Sequence, residues 1–526
     1  MLKFLVFKRG HRAKRWPVRN AYLVGADGNA LRGEVGFREG TICCENREGG
    51  TAALALQQNT GNCGELTLQT CLLPERDEPY LLNLELARHR LMALYNKLED
   101  WGMFDLGPSH AVTKRAELAR GLFLESLCCQ NEHPTRADKQ ARDSLVAALD
   151  ATEQLALAHA DLLLERRKTT GAMPRLALGC GVALDPVHER IRAGMAANFD
   201  FLQVPVSWRS LAPAEGEYRW ETLDNWAQWL LRSRMPAVAG PLVSFEPGAV
   251  PDWLFMWEHD FDTVRELIYE HIEQVVKRYR HVVSTWNVVS GLHVNSHFSF
   301  TFDQIIFLTR MAAMVVKDTH PTSKVIVELR QPFGEYYGQN QRSIPPLTYA
   351  DLLIQGGVNF DGFNVKLLMG QPAAGQYTRD LMQVSNLLDQ FAPLGKPLHL
   401  TIAAPSEKVV PKPAEGENQE APGDPNCGHW RKPWSPLIQG HWLTAIVQIA
   451  MSKPFVETVT WKDLVDHSDM EMPAGGLIDA SLQPKGAFRR FLACRRNLAA
   501  TVPPSTDPRS ATENSEGTPD NLGQNI

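Results

Sequence analysis

Between residue 176 and about residue 492, apolar segments of strand length alternate with amphipathic segments of helix length. Eight such βα units in a row predict a (β/α)8 TIM barrel, which belongs to the α/β class of folds. A doubly wound open sheet is the alternative, but no glycine-rich phosphate turn follows the first strand. The candidate strands are LALGCGV, FDFLQVPVSW, PAVAGPLVSF, VSTWNVVSGL, SKVIVELRQ, FDGFNVKLLM, PLHLTIAAP and FVETVTWKDLV.

Two further regions precede the predicted barrel. Residues 1–78 contain short β segments broken by Asp-Gly, Glu-Gly, Gly-Gly and Gly-Asn turn signals, which predicts a small all-β, sandwich-like domain. Residues 79–172 change to a helical period and predict a linker region of two or three packed helices. The barrel is expected over residues 173–497, and the polar, proline-rich residues 498–526 are expected to form a disordered tail.

Charge and cysteine content limit the expected partners and compartment. The 54 basic and 60 acidic residues give a net charge of −6, so neither nucleic acid nor a membrane is an expected partner. The basic first twenty residues are expected to be a solvated arm, with weak polyanion contact as the alternative. No signal peptide is recognised, and the nine cysteines match no zinc or disulfide spacing, so a cytoplasmic location is expected.

Several segments of the predicted barrel carry a family resemblance in the expected order. Trp208 precedes LAPAEGEYRWETLDNW, the run HIEQVVKRYRHVVSTWNVVSG joins a helix to a strand, LGKPLHLTIA forms a later strand, and Trp461 precedes GGLIDASLQPKGAF. Together these segments resemble the family 10 glycoside hydrolases, the xylanase family, over most of residues 176–492. The resemblance implies a retaining glycosidase barrel that binds xylan-type carbohydrate.

The residues at the family's catalytic positions do not fit that chemistry. The resemblance places the acid/base glutamate at Gly291 and the nucleophilic glutamate at Ile402. Glycine cannot donate a proton, and isoleucine cannot attack an anomeric carbon. Positions that hold polar sugar contacts in the family are also altered, at Gln203, Ser290 and Lys366. The sequence therefore predicts a degenerate hydrolase barrel that keeps carbohydrate binding and has lost hydrolysis.

Other carboxylates offer an alternative, in which an active O-glycosyl hydrolase uses relocated groups. Glu246 follows the third strand and Glu407 follows the seventh, so this pair is the first to test. Further acids close to the predicted mouth are interpreted as surface or loop groups: Glu328, Glu335, Asp463 and Asp466. A third hypothesis is a non-enzymatic scaffold that contacts protein partners through its N-terminal domain.

Aromatic side chains supply the candidate carbohydrate-binding surface. Trp461 matches the family's stacking tryptophan, whereas Trp208 fits either the binding site or the barrel core. Trp430 and Trp434 end a proline-rich loop, residues 405–436, and either stack on a sugar or fix the loop to the barrel rim.

A second polar and aromatic cluster, with Glu335 and Tyr336, follows the fifth strand. His293 and His297 have a spacing that suits metal binding on a helix, but they are expected to be loop residues without a third ligand. No metal or cofactor is therefore predicted.

Overall fold

The computed structural model describes residues 1–246, 248–373, 375–408 and 426–499. Nearly all of the predicted disordered tail, and the middle of the proline-rich loop, lie outside the described residues.

An all-β region begins the chain and contains two main sheets. One sheet has the strand order β10-β1-β7-β6, and β9-β8-β4-β5 run side by side in the other. Both sheets contribute apolar residues to one core, including Phe4, Ile42, Leu54 and Leu66. The strands are β1 (Leu2–Leu5), β2 (Phe7–Lys8), β3 (His11–Arg12), β4 (Tyr22–Val24), β5 (Ala30–Leu31), β6 (Gly33–Arg38), β7 (Thr41–Asn46), β8 (Ala53–Asn59), β9 (Gly64–Gln69) and β10 (Tyr80–Leu81).

The expectation of a solvated N-terminal arm is wrong for the start of the chain. Residues 2–5 form β1, which pairs antiparallel with β7 and parallel with β10. Leu2, Phe4 and Val6 alternate along the segment and are almost fully buried. This alternation buries one face of a strand, while Lys3 and Leu5 lie on its other, partly exposed face.

Three helices follow the sheets: α1 (Leu82–Asp100), α2 (Ala111–Cys129) and α3 (Pro134–Thr169). They pack against one another, and α3 also contacts helices of the barrel. Apolar residues of α1 at i, i+3, i+4 and i+7 spacing are buried, as the helical period predicted.

The predicted barrel is confirmed by a closed ring of parallel strands. Each strand pairs with the next, and the last pairs back with the first. Two short strands, β13 and β14, share the third position, because both pair with β15. The strands are β11 (Leu178–Gly181), β12 (Phe201–Val204), β13 (Ala237–Ala239), β14 (Val243–Ser244), β15 (Thr285–Ser290), β16 (Lys324–Leu329), β17 (Gly362–Leu368), β18 (Leu398–Ala403) and β20 (Val456–Trp461).

Helices surround this ring, as the alternating pattern predicts. Their starts carry recognisable caps: Thr301 and Gln304 form a reciprocal capping box on α8, and Asp380 accepts two backbone N–H groups of α10. The helices are α4 (Pro186–Asn198), α5 (Trp208–Leu211), α6 (Glu221–Ser233), α7 (Phe261–Tyr279), α8 (Phe302–Thr319), α9 (Pro346–Gln355), α10 (Leu381–Phe391), α11 (Pro436–Ser452) and α12 (Gly486–Ala499).

Alternate residues of each barrel strand face the barrel axis or the helices. Asn364 and Thr401 point inward and hydrogen-bond to each other across neighbouring strands at 3.0 Å. Their neighbours Val365, Leu400 and Ile402 belong to the apolar core. This alternation decides which residues of a strand can reach a ligand.

The end of the long seventh βα loop joins the N-terminal region. A short strand, β19 (His429–Trp430), pairs antiparallel with β9 and extends that sheet to five strands. Arg431 also pairs with Glu153 on α3 at 2.5 Å. A loop of the barrel thus completes a sheet that the first seventy residues begin.

Across the described ranges, no helix is long and apolar enough to cross a membrane. The nine cysteines all lie within these ranges and are free thiols.

Candidate functional site

A cavity of about 170 Å³ opens at the carboxyl ends of the barrel strands. This is the face at which (β/α)8 enzymes place their active sites. Side chains and backbone from most of the barrel strands line it, among them Gly181, Gln203, Ser244, Glu328, Lys366 and Thr401.

Lys366 of β17 stands in the middle of this mouth between two carboxylates. Its ammonium nitrogen lies 2.5 Å from Glu471 Oε2 and 3.0 Å from Glu246 Oε1. Only 6% of the side chain is exposed. Burial alone would lower the pKa of Lys366, but the charges of Glu246 and Glu471 raise it above its ordinary value. The lysine is therefore a fixed positive charge at the centre of the cavity.

Arg330, which follows β16, bridges the same two carboxylates from a second side. Its Nε lies 2.6 Å from Glu246 Oε1, and one of its terminal nitrogens donates to Glu471 Oε1 at 2.9 Å. Burial would raise the pKa of Glu471, but the charges of Lys366, Arg330 and Lys462 hold it far below its usual range. Two cations and two carboxylates thus form one buried network of ion pairs.

A third carboxylate, Glu328, lies deeper in the barrel and is held mainly by neutral groups. Its Oε2 accepts hydrogen bonds from Asn287 at 2.9 Å and Asn364 at 2.7 Å. Ser290 Oγ lies 2.6 Å from Glu328 and 2.9 Å from Glu246, so its single proton is shared between two acceptors. Every carboxylate that lines the mouth is consequently engaged within the protein.

The positions that the family resemblance marks as catalytic contribute no reactive side chain. Gly291 has a left-handed φ of +73°, and a Cβ atom added there would lie 3.2 Å from Arg330 Cδ. Ile402 is 1% exposed and packs in the apolar core, while its neighbour Thr401 lines the cavity. The seventh strand therefore presents a hydroxyl to the mouth.

The predicted replacement pair does not come together. Glu246 lines the mouth, but Glu407 is exposed and does not line the cavity. The acid that joins Glu246 is Glu471, which the sequence analysis missed. It lies in the loop after β20, ten residues beyond Trp461, whereas the predicted candidates Asp463 and Asp466 follow the strand more closely.

The tryptophans predicted as sugar platforms are buried. Trp461 has no exposed surface, and its Nε1 donates to Gly475 O at 2.8 Å. Trp430 and Trp434 are 8% and 7% exposed, and they donate to Glu153 and to Gly428 O. Of the alternatives for these two residues, fixing the loop fits their burial.

Trp208 differs from the other three because it borders the mouth cavity. It is 5% exposed and stacks on His271, with ring centroids 4.5 Å apart. His271 is buried and bonds to Leu242 O at 3.1 Å and Tyr218 at 3.1 Å. The indole is thus held rigidly at the wall, with little surface for stacking.

The cluster after the fifth strand faces the N-terminal region. Glu335 pairs with Arg379, and it also accepts from Gly375 N at 2.9 Å and Asn20 at 3.3 Å. The Tyr336 hydroxyl is buried and donates to Ile344 O at 2.7 Å. These residues join parts of the chain and lie outside the mouth cavity.

The two histidines considered for metal binding lie in different surroundings. His297 is partly exposed, its ring lies 6.1 Å from that of Phe255, and its Nε2 has no hydrogen-bond partner among the described residues. His293 is fully buried, and its Nε2 donates to Arg330 O at 3.0 Å. Burial lowers the pKa of His293 to about 4. Within the described residues, no group of three His, Cys, Asp or Glu side chains is arranged to hold a metal ion.

The closed parallel ring, with polar groups gathered at its carboxyl end, defines the class as a (β/α)8 barrel with an enzyme-type mouth. The model of glycosyl hydrolase family 10 matches residues 181–309 and confirms the resemblance predicted from the sequence. The barrel is therefore similar to family 10 over residues 181–309, which run from the end of β11 into α8. No curated protein sequence matches the chain.

Solved structures of xylanases are similar to the chain at low identity. Xylanase 10B from Thermotoga petrophila RKU-1, in complex with xylobiose, is 14% identical and covers 65% of this chain and 97% of its own, with a TM-score of 0.45. Xylanase 10B from Thermotoga maritima is 14% identical over 64% and 99%, with a TM-score of 0.46. GH10 from Paenibacillus barcinonensis is 17% identical over 64% and 97%, with a TM-score of 0.45.

Proposed function

We propose that this protein is a family 10-like barrel that binds a xylan-type carbohydrate at its mouth without hydrolysing it. The observation that carries the proposal is the position of Lys366 between Glu246 and Glu471, at 3.0 Å and 2.5 Å. The match of residues 181–309 to the family model supports the class of ligand.

Retaining hydrolysis requires two carboxyl groups about 5–5.5 Å apart, one protonated and one free to attack the sugar. A general acid needs a raised pKa, whereas three cations hold the pKa of Glu471 low. Glu246 is bound by both Lys366 and Arg330, so its attack would require breaking a buried ion pair. Breaking such pairs typically costs about 3–5 kcal/mol.

The same mouth has features that suit binding. The hydroxyl of Thr401, the amide of Gln203 and the ammonium of Lys462 face a cavity walled by Trp208. Polar groups at an apolar wall fix the orientation of a small ligand. A volume of about 170 Å³ limits the enclosed part to one small unit, with the rest of an oligosaccharide lying outside the rim.

Two assays on the full-length protein test this proposal. Titration with xylobiose and longer xylo-oligosaccharides, followed by calorimetry or by NMR, is expected to show saturable binding. Incubation with an aryl xyloside or with xylan is expected to release no product. Absence of binding to any of these sugars would overturn the carbohydrate assignment.

An active hydrolase with relocated carboxylates is the second candidate, because Glu246, Glu328 and Glu471 converge at one cavity. This candidate predicts turnover that is abolished by Glu246→Gln or Glu471→Gln and retained by Glu407→Gln. The exposed Glu407 is the matched control, since it follows the seventh strand without lining the cavity. Turnover with that pattern would replace the binding proposal.

A scaffold that contacts protein partners is the third candidate, for a chain whose three regions are joined by buried contacts. Arg90 of α1 forms a two-pronged ion pair with Asp380 of the barrel, at 3.0 Å and 2.6 Å. Both side chains are at most 5% exposed. Capture of a specific partner by the full chain, together with no sugar binding, would favour this candidate.

A further inference from the structure

A second cavity, of about 540 Å³, is lined by residues between positions 7 and 142, in the N-terminal region. It shares no lining residue with the cavity at the barrel mouth. We call it the cationic pocket. Its walls are the β2–β3 turn and the segment after it, the end of β8, and the first turns of α3. Its lining residues include Arg9, Arg15, Trp16, Gln57, Lys139 and Arg142.

Positive charge dominates the walls of the cationic pocket. Six basic side chains line it, against two acids, Glu65 and Asp138. Glu65 is paired with Arg19 at 3.0 Å, and Asp138 accepts a hydrogen bond from Asn83 at 3.0 Å. Burial raises the pKa of Asp138 to about 6, so this carboxyl group is still mostly ionised at neutral pH and offsets one of the six cations. The remaining field inside the pocket is positive.

Several of these cations have no acidic partner of their own. Lys8, Arg9, Arg15 and Lys139 are exposed at the pocket and form no salt bridge with any other described residue. Such cations are available to a ligand without loss of an existing ion pair.

Gln57 provides an independent sign that a ligand belongs here. It is 5% exposed, it lines the pocket, and neither its Oε1 nor its Nε2 has a hydrogen-bond partner among the described residues. The Nε2 of Gln58 and the Nε1 of Trp16, which also line the pocket, are buried without a partner in the same part of the chain. Buried polar groups are nearly always satisfied in folded proteins, so these three point to a polar occupant.

The start of α3 adds to the attraction for an anion. Thr135, in the first turn, borders the pocket, and this turn contains no acidic residue. Backbone N–H groups at a helix N-terminus lack intrahelical partners and carry partial positive charge. Phosphate groups bind at such termini because both effects act in the same direction.

We propose that the cationic pocket binds a small phosphorylated molecule whose planar or ring portion lies against Trp16. A phosphate monoester carries about −1.5 to −2 charges at neutral pH and offers three acceptor oxygens, which suits a cluster of guanidinium, ammonium and indole N–H groups. An enclosed volume of 540 Å³ is in the range of small-molecule sites. This site is independent of carbohydrate binding at the barrel mouth.

Phenyl phosphate and inorganic phosphate are the probes for the full-length protein, with phenol as the uncharged control. Calorimetric titration is expected to show binding of phenyl phosphate, weaker binding of phosphate and none of phenol. Lys139→Ala and Arg15→Ala are each expected to weaken the binding of phenyl phosphate roughly tenfold, because each removes one charge-assisted hydrogen bond. Gln57→Leu is expected to weaken the binding of phenyl phosphate as well, although this substitution leaves the net charge unchanged.

Arg136→Ala is the matched control, because Arg136 is exposed on the same helix and does not line the pocket. It is expected to leave the affinity within about twofold. Thermal unfolding of each variant verifies that the fold is retained. No binding of phenyl phosphate, or equal weakening by Arg136→Ala and Lys139→Ala, would overturn the proposal. Binding of heparin without binding of phenyl phosphate would also overturn it, in favour of a polyanion surface.

Discussion

Arg330 fills the space beside Gly291, because its Cδ atom lies 3.2 Å from the point where a Cβ atom would stand at that glycine. The same arginine pairs with Glu246 at 2.6 Å. The backbone of Gly291 is in the left-handed region, which is unfavourable for residues with a side chain. The position that the family resemblance marks as catalytic is thus closed both by a neighbouring side chain and by its own backbone.

A glutamate introduced at position 291 is therefore not expected to give glycoside hydrolysis. Gly291→Glu should give no aryl xyloside hydrolysis and should lower the free energy of unfolding by about 1–3 kcal/mol, because of the left-handed φ. Gly291→Ala carries both the left-handed backbone and the Cβ contact with Arg330, so its difference from Gly291→Glu measures the cost of the glutamate side chain beyond Cβ. Measurable turnover by the glutamate variant would contradict the view that the mouth is blocked.

The network at the mouth is expected to depend on Lys366. Lys366→Met leaves Glu246 and Glu471 near each other with less compensation, so the free energy of unfolding should fall by about 3–5 kcal/mol in urea at pH 7. Lys432→Met, at an exposed lysine, should change it by less than about 0.5 kcal/mol. Equal stability of the two variants would mean that the ion pairs contribute nothing.

Glu471 should make stability depend on pH in the acid range. Its pKa is lowered in the folded protein relative to an ordinary value of 4.5, so the unfolded chain takes up a proton that the folded chain resists. This contribution is complete above pH 4.5 and is lost as pH falls, with a slope of at most about 1.4 kcal/mol per pH unit. In urea unfolding, the free energy of unfolding of Glu471→Gln should therefore decrease less steeply below pH 4.5 than that of the wild type. Glu407→Gln should show the wild-type decrease.

Buried histidines should make the free energy of unfolding depend on pH in a higher range than Glu471 does. Burial lowers the pKa of His271 to about 3 and that of His293 to about 4, from an ordinary value of 6.5. Below pH 6.5 the unfolded state binds these protons first, so the free energy of unfolding should fall by up to about 1.4 kcal/mol per pH unit for each group. His281→Gln, at an exposed histidine, should leave the slope between pH 6.5 and pH 5 unchanged. A flat profile over this interval would contradict the burial of both rings in neutral form.

The contact between α1 and the barrel should be worth more than a surface ion pair. Arg90→Met leaves the fully buried Asp380 without its partner and should cost about 3–5 kcal/mol in urea unfolding. Arg120→Met removes an exposed pair with Glu117 and should cost less than about 1 kcal/mol. Similar losses in both variants would show that the Arg90 contact does not stabilise the folded chain.

Much of the barrel was predictable from sequence, because strand positions follow from short apolar segments between helices. The segment VSTWNVVSGL, for instance, contains β15 from Thr285 to Ser290. The first strand was not predicted, because the seven basic residues among the first twenty indicate a solvated arm, although Leu2, Phe4 and Val6 alternate and are buried. In that segment, the alternation of apolar residues decides the structure, and the basic residues nearby do not prevent a buried strand.

The candidate site was less predictable, because residue type does not reveal which side of a strand a residue occupies. Trp461 fitted a sugar platform by position, yet it faces the helices and is fully buried. Thr401 reaches the cavity where Ile402 was expected to mark the nucleophile position. Glu471 comes from an irregular loop, whose path no periodicity describes. The sequence shows glycine and isoleucine at the positions that the family resemblance marks as catalytic, whereas the ion network around Lys366 was not predictable from it.

The pairing of β19 with β9 has a consequence for how this chain can be cut or recombined. A fragment chosen by the barrel alone would begin near residue 173 and would carry β19 without the strand that it completes. The remaining N-terminal piece would expose a raw sheet edge, which is a template for aggregation. The barrel is therefore expected to need the N-terminal region for a complete fold when it is expressed.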